Sequence, residues 1–194
     1  CCADFLKKND GHFFSSKGHD APAYYNTLAA YKKINFNLIY RLRKINGLPG
    51  HPDISIKNIR FNTGSLGMGI SKINGISYNN KDKNIVIIGD GELQEGQNWE
   101  ALMFLQNNKK KINPLIIVDS NKIQSDTWVK KVKDYSYLEK KIEAFKIKVK
   151  TVNGHDHQAL SKEIENHFKS FKGPMILIAN TIKSKGISFA ENHN

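Results

Sequence analysis

The sequence predicts one α/β domain, residues 1–194, with a parallel sheet that carries helices on both faces. Short runs of Ile, Val and Leu recur along the chain with helical patterns between them, as in residues 84–89 (NIVIIG) and 114–119 (PLIIVD). Such continuous apolar strands are typical of parallel sheets that are buried on both faces. No internal repeat or low-complexity segment divides the 194 residues, a length that suffices for one core.

The first half of the chain contains three helical segments. The N-terminal stretch CCADFLKKND is typical of a helix joined partway along, which predicts that an upstream segment is missing from this sequence. A helix is predicted at 21–34, because Pro22 stands near its start, where a missing N–H costs least. A loop centred on NGLPGHPD follows, and a helix opened by glycines is predicted at 64–78.

The second half alternates between strands and helices. Strands are predicted at 84–89, 114–119, 145–152 and 173–181, with helices from about Glu95 to Asn107, around YSYLEKKI and at 157–171. Ligands of such sheets bind at the carboxyl ends of the strands. Two acid-bearing turns, Gly89-Asp90-Gly91 and Asp119-Ser120-Asn121, fall at those ends, so the functional site is expected there.

The composition excludes several classes of protein. Hydrophobic residues make up 39% and charged residues 25%, which is typical of a globular chain. The formal net charge of +12 comes mostly from Lys beside Asn and Ile, which predicts a solvated lysine surface and no nucleic-acid partner. No apolar run approaches a membrane span, and the only cysteines, Cys1 and Cys2, give no disulfide framework, so a cytoplasmic protein without a membrane partner is expected.

The turn after residues 84–89 has the chemistry of a cation site. A carboxylate at a strand end, here Asp90, suits a hard divalent cation bridged to phosphate oxygens, and Gly91 allows the backbone to approach an anion closely. Asn121 offers a side-chain oxygen and Ile123 a backbone carbonyl, an oxygen set that Mg²⁺ or Ca²⁺ accepts. The alternative is that Asp90 only caps the following helix.

Two further patterns leave their roles open. The segment NTGSLGMGIS is a glycine-rich turn into a helix, which is a ready anion seat, although glycines also permit tight helix packing. His19, His51 and His155 each follow a glycine, and His157 lies close by. Their spacings match no zinc-binding pattern, so both a structural role and proton transfer near neutral pH remain open for them.

The motifs, in their order along the chain, resemble one known family. The segments SKGH, GHPD, TGSLGMG, GDGELQEGQNWEA, DSNKIQSD, NGHDHQAL and IANTIKSKGISF are similar to the thiamine-diphosphate-binding domain of transketolase, from about Ala3 to Glu191. GDG followed by Asn121 has the spacing of the family's thiamine diphosphate signature. GELQEGQNWEA resembles transketolase rather than the deoxyxylulose-phosphate synthase or pyruvate dehydrogenase branches. The resemblance implies the thiamine-diphosphate-binding (PP-domain) fold.

The resemblance also implies a cofactor site. Asp90, Asn121 and the Ile123 carbonyl are expected to hold Mg²⁺ or Ca²⁺, which clamps the diphosphate of the cofactor. The glycines of the GSLG turn and Gly91 are expected to supply N–H groups to that diphosphate. The implied cofactor-binding residues are His19, Gly64, Ser65, Leu66, Gly67, Gly89, Asp90, Gly91, Glu92 and Asn121.

Three residues receive catalytic roles from the same resemblance. His19 matches the cofactor-side histidine, and His51 matches the histidine that binds the donor sugar near its first carbon. Glu95 matches an acid that connects this domain to the catalytic glutamate of a partner. The implied reaction transfers a two-carbon ketol unit from a ketose or ketose phosphate to an aldose, with the cofactor as the electron sink.

The chain also departs from the family. Transketolases normally continue into a pyrimidine-binding domain, which carries the activating glutamate and the groups that grip a sugar phosphate. The chain is therefore expected to be the N-terminal subunit of a split transketolase, paired in an α2β2 assembly with a pyrimidine-domain subunit, or a fragment of a longer chain. Met68 replaces a customary Gln, and Asp20 replaces a small residue beside His19. His193 matches a family histidine too loosely to be assigned.

Two other functions compete with this hypothesis. A catalytically inactive homologue that serves as a binding or regulatory scaffold would have no need of intact Asp90, Asn121, His19, His51 and Glu95. A basic nucleic-acid-binding module is supported by charge alone. The sequence leaves open which sugars react, and which roles His155, His157 and His193 have.

Overall fold

Five parallel strands form one sheet. The computed structural model describes residues 1–7, 9, 11–80, 82–124, 127–134, 136–170 and 172–192. The strands are β1 (Phe13–Ser15), β2 (Ile85–Gly89), β3 (Leu115–Ser120), β4 (Lys148–Asn153) and β5 (Met175–Asn180), in the spatial order β1-β2-β3-β5-β4. The helices are α1 (Cys2–Lys7), α2 (Ala21–Ala30), α3 (Gly69–Asn79), α4 (Gly96–Asn108), α5 (Val129–Val132), α6 (Leu138–Glu143) and α7 (His157–Ser170).

Helices cover both faces of the sheet, because successive side chains of a strand point to opposite faces. On one face, Val86 of β2 packs in a core cluster with Ile70 of α3 and Leu102 of α4. On the other face, Ile85 shares a cluster with Ile164 of α7. This arrangement confirms the predicted fold class. Within the described ranges, no helix is long and apolar enough to cross a membrane.

The glycine-rich segment before α3 is an irregular turn and not the start of a helix. Gly64 and Gly67 have φ angles of 97° and 85°, which a right-handed helix cannot contain and which glycine adopts at little cost. The helix predicted at 64–78 therefore begins only at Gly69. The correction matters for function, because the turn and the helix start are separate features at the sheet edge.

One predicted helix is shorter than expected, and the predicted end of another lies outside the described residues. The helix predicted at 21–34 ends at Ala30, and Lys32 just after it has a left-handed φ of 56°. The helix predicted at 157–171 is observed as α7, and Phe171 lies outside the described residues.

The two edge strands differ in length and composition. β1 has only three residues, too few for an apolar run to signal it, and it was not predicted. β4 begins at Lys148 and not at residue 145, because Lys146 has a left-handed φ of 56°. Lys150 of β4 pairs with Glu163 of α7, with 2.5 Å between Nζ and Oε2.

A third apolar cluster joins α2 to the long segment between α2 and the glycine turn. Tyr25 of α2 and Leu48 of that segment are fully buried in it. The Tyr25 hydroxyl lies 3.0 Å from the carbonyl oxygen of Pro49 and 3.2 Å from that of His51, and it donates to these two acceptors. This contact fixes the backbone that carries the predicted sugar-binding histidine.

Candidate functional site

The two acid-bearing turns lie side by side at one edge of the sheet. Gly89, the last residue of β2, is paired in register with Asp119 of β3. The backbone N–H of Asp90 donates to the Asp119 carbonyl oxygen at 3.2 Å, which joins the turns directly after the strands end. The structure thus confirms that the residues following β2 and β3 meet where a parallel sheet places its ligands.

Asp90 is buried and directed toward the turn after β3. It is 6% exposed, and its Oδ1 accepts from the Gly91 N–H at 2.7 Å while Oδ2 accepts from the Lys122 N–H at 2.5 Å. Burial raises the pKa of Asp90 above its usual value, although the two N–H donors oppose the shift. Asp90 therefore does cap the short 3₁₀ turn Gly91–Gln94, and it also reaches the neighbouring loop, which a cap alone would not do.

The loop after β3 presents oxygen atoms. Asn121 Oδ1 accepts from the Ile123 N–H at 2.9 Å, and Asn121 Nδ2 lies 3.4 Å from Asp119 Oδ2 as donor. Ile123 forms an isolated antiparallel bridge with Trp128, which closes the loop. Ser125 and Asp126 of the DSNKIQSD segment lie outside the described residues.

The oxygen atoms of these two turns are suitable ligands for a hard divalent cation. Asp90, Asn121 and the carbonyl of Ile123 supply one carboxylate, one amide oxygen and one peptide oxygen, and the Asp90–Lys122 bond brings the two turns together. Among the residues that the structure describes, no group of three His, Cys, Asp or Glu side chains could hold a metal ion. With a single carboxylate in the set, phosphate oxygens of a ligand would supply the remaining negative charge.

From the sequence, the absence of a side chain at Gly91 was attributed to the close approach of an anion. The structure shows that packing between the two turns also requires glycine here. A Cβ at Gly91 would lie 2.9 Å from Cβ of Gln124, so the packing of the two turns already excludes a side chain. The Gly91 N–H also donates to Asp90, as described above. The expected contact between this N–H and a diphosphate stays a prediction, and it requires that bond to Asp90 to be exchanged.

Glu92 points away from the open edge and into the protein. It is 3% exposed, and it accepts hydrogen bonds from the Ser16 hydroxyl, from the Gly67 N–H at 2.8 Å and from the Gly89 N–H at 3.3 Å. The N–H of Gly67 is therefore engaged within the protein, which corrects the expectation that it is free for an anion. Glu92 fastens the glycine turn to the ends of β1 and β2.

The two predicted histidines share the same edge. The His51 ring lies between two glycines: a Cβ at Gly18 would be 2.7 Å from His51 Cδ2, and a Cβ at Gly64 would be 2.5 Å from Nδ1. His19 is exposed in the 3₁₀ turn Gly18–Asp20. Partial burial, followed by the charges of nearby lysines, lowers the pKa of His19 and favours its neutral form.

The remaining predicted residues are exposed beside this turn. Ser65 and Leu66 form the outer part of the glycine turn, and the Leu66 carbonyl accepts from Gln97 Nε2 at 2.9 Å. Glu95 is exposed at the N-cap of α4, and a Cβ at Gly67 would lie 2.7 Å from Glu95 Cβ. The predicted cofactor and catalytic residues are thus gathered on one edge, with Glu92 as the member that faces inward.

The sequence analysis missed a buried ion pair at the same edge. Lys17 pairs with Asp119, and the Thr181 hydroxyl also donates to Asp119. Burial alone would raise the pKa of Asp119, but the Lys17 charge and the hydrogen bonds lower it below its usual value. Nothing in the sequence distinguishes Lys17 from the other basic residues, because its partner is distant along the chain.

The histidines with open roles are now separated. His155 Nε2 accepts from the Ile182 N–H at 2.8 Å, which places it in a structural bond between the turn after β4 and the segment after β5. His157 is exposed at the first position of α7. His193 lies outside the described residues.

The chain matches one protein family over almost its whole length. Residues 4–194 match the family described as "Transketolase, thiamine diphosphate binding domain". One subunit of the apulose-4-phosphate transketolase from Actinobacillus succinogenes is 35% identical and covers 97% of this chain, which spans 70% of that relative. The 6-deoxy-6-sulfo-D-fructose transketolase subunit SqwG of a Clostridium species is 35% identical over 91% of this chain, which spans 66% of it.

Single-chain relatives and a solved structure agree. Human transketolase is 32% identical over 95% of this chain, which spans 30% of the human protein. The crystal structure of a transketolase from Campylobacter jejuni superposes with a TM-score of 0.83 and 27% identity, over 95% of this chain and 31% of the other. The chain thus corresponds to about two thirds of the subunit-type relatives and to less than a third of the single-chain proteins.

Proposed function

This chain belongs to the family of transketolase thiamine-diphosphate-binding domains, and on that premise we propose that it is the N-terminal subunit of a transketolase. The assembled enzyme would transfer a two-carbon ketol unit from a ketose to an aldose. The relatives named as transketolase subunits support a divided enzyme, since they cover 97% and 91% of this chain. The substrates in their names carry a phosphate or a sulfo group, which supports a ketose with an anionic end.

The observation that carries the proposal is the junction of the two turns. Asp90 bonds to the backbone of Lys122, within the loop that offers Asn121 and the Ile123 carbonyl. We assign these three residues to Mg²⁺ or Ca²⁺, with diphosphate oxygens completing the coordination. Gly91 and the exposed outer part of the glycine turn, Ser65 and Leu66, would receive the diphosphate, because the N–H groups of Gly67 and Gly89 are bonded to Glu92.

The residues of this chain bind and orient while the cofactor supplies the carbanion chemistry. His19, favoured as the neutral imidazole by its lowered pKa, can accept or return a proton at the sugar. His51 is held by its backbone to Tyr25 and by its ring between Gly18 and Gly64, which restricts the orientation of the ring and supports a role in binding. We assign donor binding to His51.

The proposed partner is a subunit with a pyrimidine-binding domain, in an α2β2 assembly. Glu95 is exposed and makes no side-chain cap bond to α4, the helix that it precedes, which leaves its carboxylate available to a partner glutamate. Leu66 of the glycine turn and His19 are exposed as well. Assembly with the partner would bury Leu66, His19 and Glu95 in an interface that encloses the cofactor.

The test is cofactor binding by the assembled subunits. This chain is produced with a pyrimidine-domain subunit, and thiamine diphosphate is titrated by calorimetry with Mg²⁺ and with excess chelator. Thiamine diphosphate is expected to bind in the presence of Mg²⁺ and not in the presence of chelator. The assembled subunits are expected to transfer a two-carbon unit from a ketose phosphate. Cofactor binding that is indifferent to the chelator would contradict the cation site. Normal assembly without any two-carbon transfer would favour the scaffold alternative.

A further inference from the structure

Lys17 is buried although lysine is seldom buried without a compensating partner. Its side chain is 7% exposed, that of its partner Asp119 is 24% exposed, and the two form a salt bridge. Lys17 lies two residues after β1, whereas Asp119 lies in β3, so the pair spans the full width of β2. A surface lysine would gain little from such a pair, which indicates a specific position for this one.

The path of Lys17 runs over the end of β2. A Cβ at Gly89 would lie 3.8 Å from both Cγ and Cε of Lys17, so the lysine stem passes over this glycine on the side where a side chain would project. The ammonium group then reaches Asp119, beside the loop after β3 that carries Asn121 and Ile123, called the cation loop below. Lys17 therefore joins the ends of three neighbouring strands at the edge where the candidate site lies.

Asp119 transmits this contact to a proposed cation ligand. Besides Lys17, it accepts from the Thr181 hydroxyl and from Asn121 Nδ2 at 3.4 Å. With its nitrogen directed to Asp119, Asn121 turns its Oδ1 to the loop, where it accepts from the Ile123 N–H at 2.9 Å. The orientation of the amide thus depends on two contacts, the bond from the Ile123 N–H and the longer one to the Asp119 carboxylate.

We propose that Lys17 is a positioning residue for the cation site: by fixing Asp119, it orients Asn121 so that the amide oxygen faces the cation. Lys17 touches neither the cation nor the cofactor in this role. The inference rests on the proposed function, because it presupposes that Asn121 is a ligand. Residues that support metal ligands typically change metal affinity by about 10–100-fold when they are replaced.

The direction of the effect separates positioning from simple electrostatics. Lys17 is a positive charge near a cation site, so its removal would strengthen cation binding if charge repulsion were its main effect. Loss of positioning has the opposite sign. Lys17→Met is therefore informative, because methionine keeps an unbranched stem of similar length over Gly89 and removes the charged group.

The experiment measures cation affinity in the chain assembled with its partner subunit. Mn²⁺ serves as the probe, titrated at saturating thiamine diphosphate and followed by electron paramagnetic resonance. Lys17→Met is expected to weaken Mn²⁺ binding by about tenfold or more, and excess Mn²⁺ is expected to restore cofactor binding. Thr181→Val removes another donor to Asp119 and is expected to weaken Mn²⁺ binding by a smaller factor than Lys17→Met does.

The control is another partly buried ion pair. Lys150 pairs with Glu163 between β4 and α7, remote from the cation loop in the strand order, and Lys150→Met is expected to leave Mn²⁺ affinity unchanged. If the wild-type assembly binds the cofactor without a cation, the proposed function fails. If the wild type needs the cation but Lys17→Met binds it equally well or more tightly, only the positioning role is overturned. Should Lys17→Met not assemble, Lys17→Gln, which also removes the charge, is measured in its place and judged by the same criterion.

Discussion

Asp90 and Glu92 are two buried carboxylates in the same Gly-Asp-Gly-Glu sequence, yet their surroundings differ. Glu92 accepts hydrogen bonds from the end of β1, from the end of β2 and from the glycine turn, three segments that are distant along the chain. Asp90 accepts from the N–H of the adjacent Gly91 and from the N–H of Lys122 in the turn after β3. Both carboxylates are buried, but they bond to different parts of the protein, which supports a scaffold role for Glu92 and the proposed ligand role for Asp90.

The difference has a physical cause in the 3₁₀ turn Gly91–Gln94. Asp90 stands at its N-cap and Glu92 within it, so their side chains leave the backbone on different sides. One side meets the folded ends of the strands, where donors are fixed. The other side meets the loop after β3, where a cation can take the place of a backbone donor.

The largest effect is expected from Asp90→Asn. The affinity of the assembled protein for thiamine diphosphate with Mg²⁺ should fall by more than about 100-fold, because a ligand is lost rather than a supporting residue. The free energy of unfolding should fall less than in a Glu92 variant, because Asp90 accepts two hydrogen bonds and Glu92 three, and because burial already disfavours the charged form of Asp90. Calorimetric titration and urea unfolding check the two halves. If Asp90→Asn markedly lowers the free energy of unfolding but leaves cofactor binding intact, Asp90 is a scaffold residue and not a ligand.

Glu92→Gln should show the reverse pattern. The amide keeps one acceptor and presents an NH₂ group to backbone donors, which should reduce the free energy of unfolding by about 2 kcal/mol. Cofactor affinity should fall less than in the Asp90 variant, through a loosened glycine turn. Glu100→Gln, at an exposed position of α4, is the matched control and should be neutral. If Glu92→Gln unfolds in urea with the same free energy as the wild type, the scaffold role of Glu92 is wrong.

A third carboxylate, Asp20, extends the comparison to a site with fewer donors. Its Oδ2 accepts from the Ser15 hydroxyl at 2.5 Å, and its Oδ1 has no hydrogen-bond partner among the described residues. Burial raises the pKa of Asp20 to about 6 from 3.8. The native state thus keeps a proton that the unfolded chain loses, so the Asp20 contribution to stability is lost as the pH rises from about 4 through about 6.

Asp20→Asn should consequently match the wild type at about pH 4 and be more stable by about 1–2 kcal/mol at about pH 7. Urea unfolding at the two pH values measures this difference. The full pKa shift would give more, but partial exposure of the residue reduces the effect. A variant that is less stable than the wild type near neutral pH would show that the Asp20 charge is compensated.

The smallest effect is expected at a glycine outside both regions. A Cβ at Gly75, inside α3, would meet nothing within 4 Å. Gly75→Ala should therefore raise the free energy of unfolding by about 0.5–1 kcal/mol, the usual gain for glycine in a helix. The same change at Gly64 should have the opposite sign, because that residue has φ of 97° and faces the His51 ring. Thermal or urea unfolding of both variants gives the comparison.

The sequence predicted the sheet and the edge because both depend on local patterns. The apolar runs of β2 and β3 and the acids that follow them are visible without tertiary contacts, and parallel pairing brings them together. The inward direction of Glu92 was missed, since it depends on a 3₁₀ turn that spacing does not reveal. The burial of Lys17 was missed because its partner Asp119 is far away in the chain.

The contrast between the two edge strands has a consequence for a subunit that waits for its partner. Exposed strand edges recruit other strands and start aggregation, and proteins limit this with short edges or with lysine. Here β1 offers only three residues, and β4 carries Lys148 and Lys150. The short β1 and the lysines of β4 would limit pairing between the sheet edges of newly synthesised copies. Association through the sheet edge that carries Asp90 and Asn121 would then be favoured.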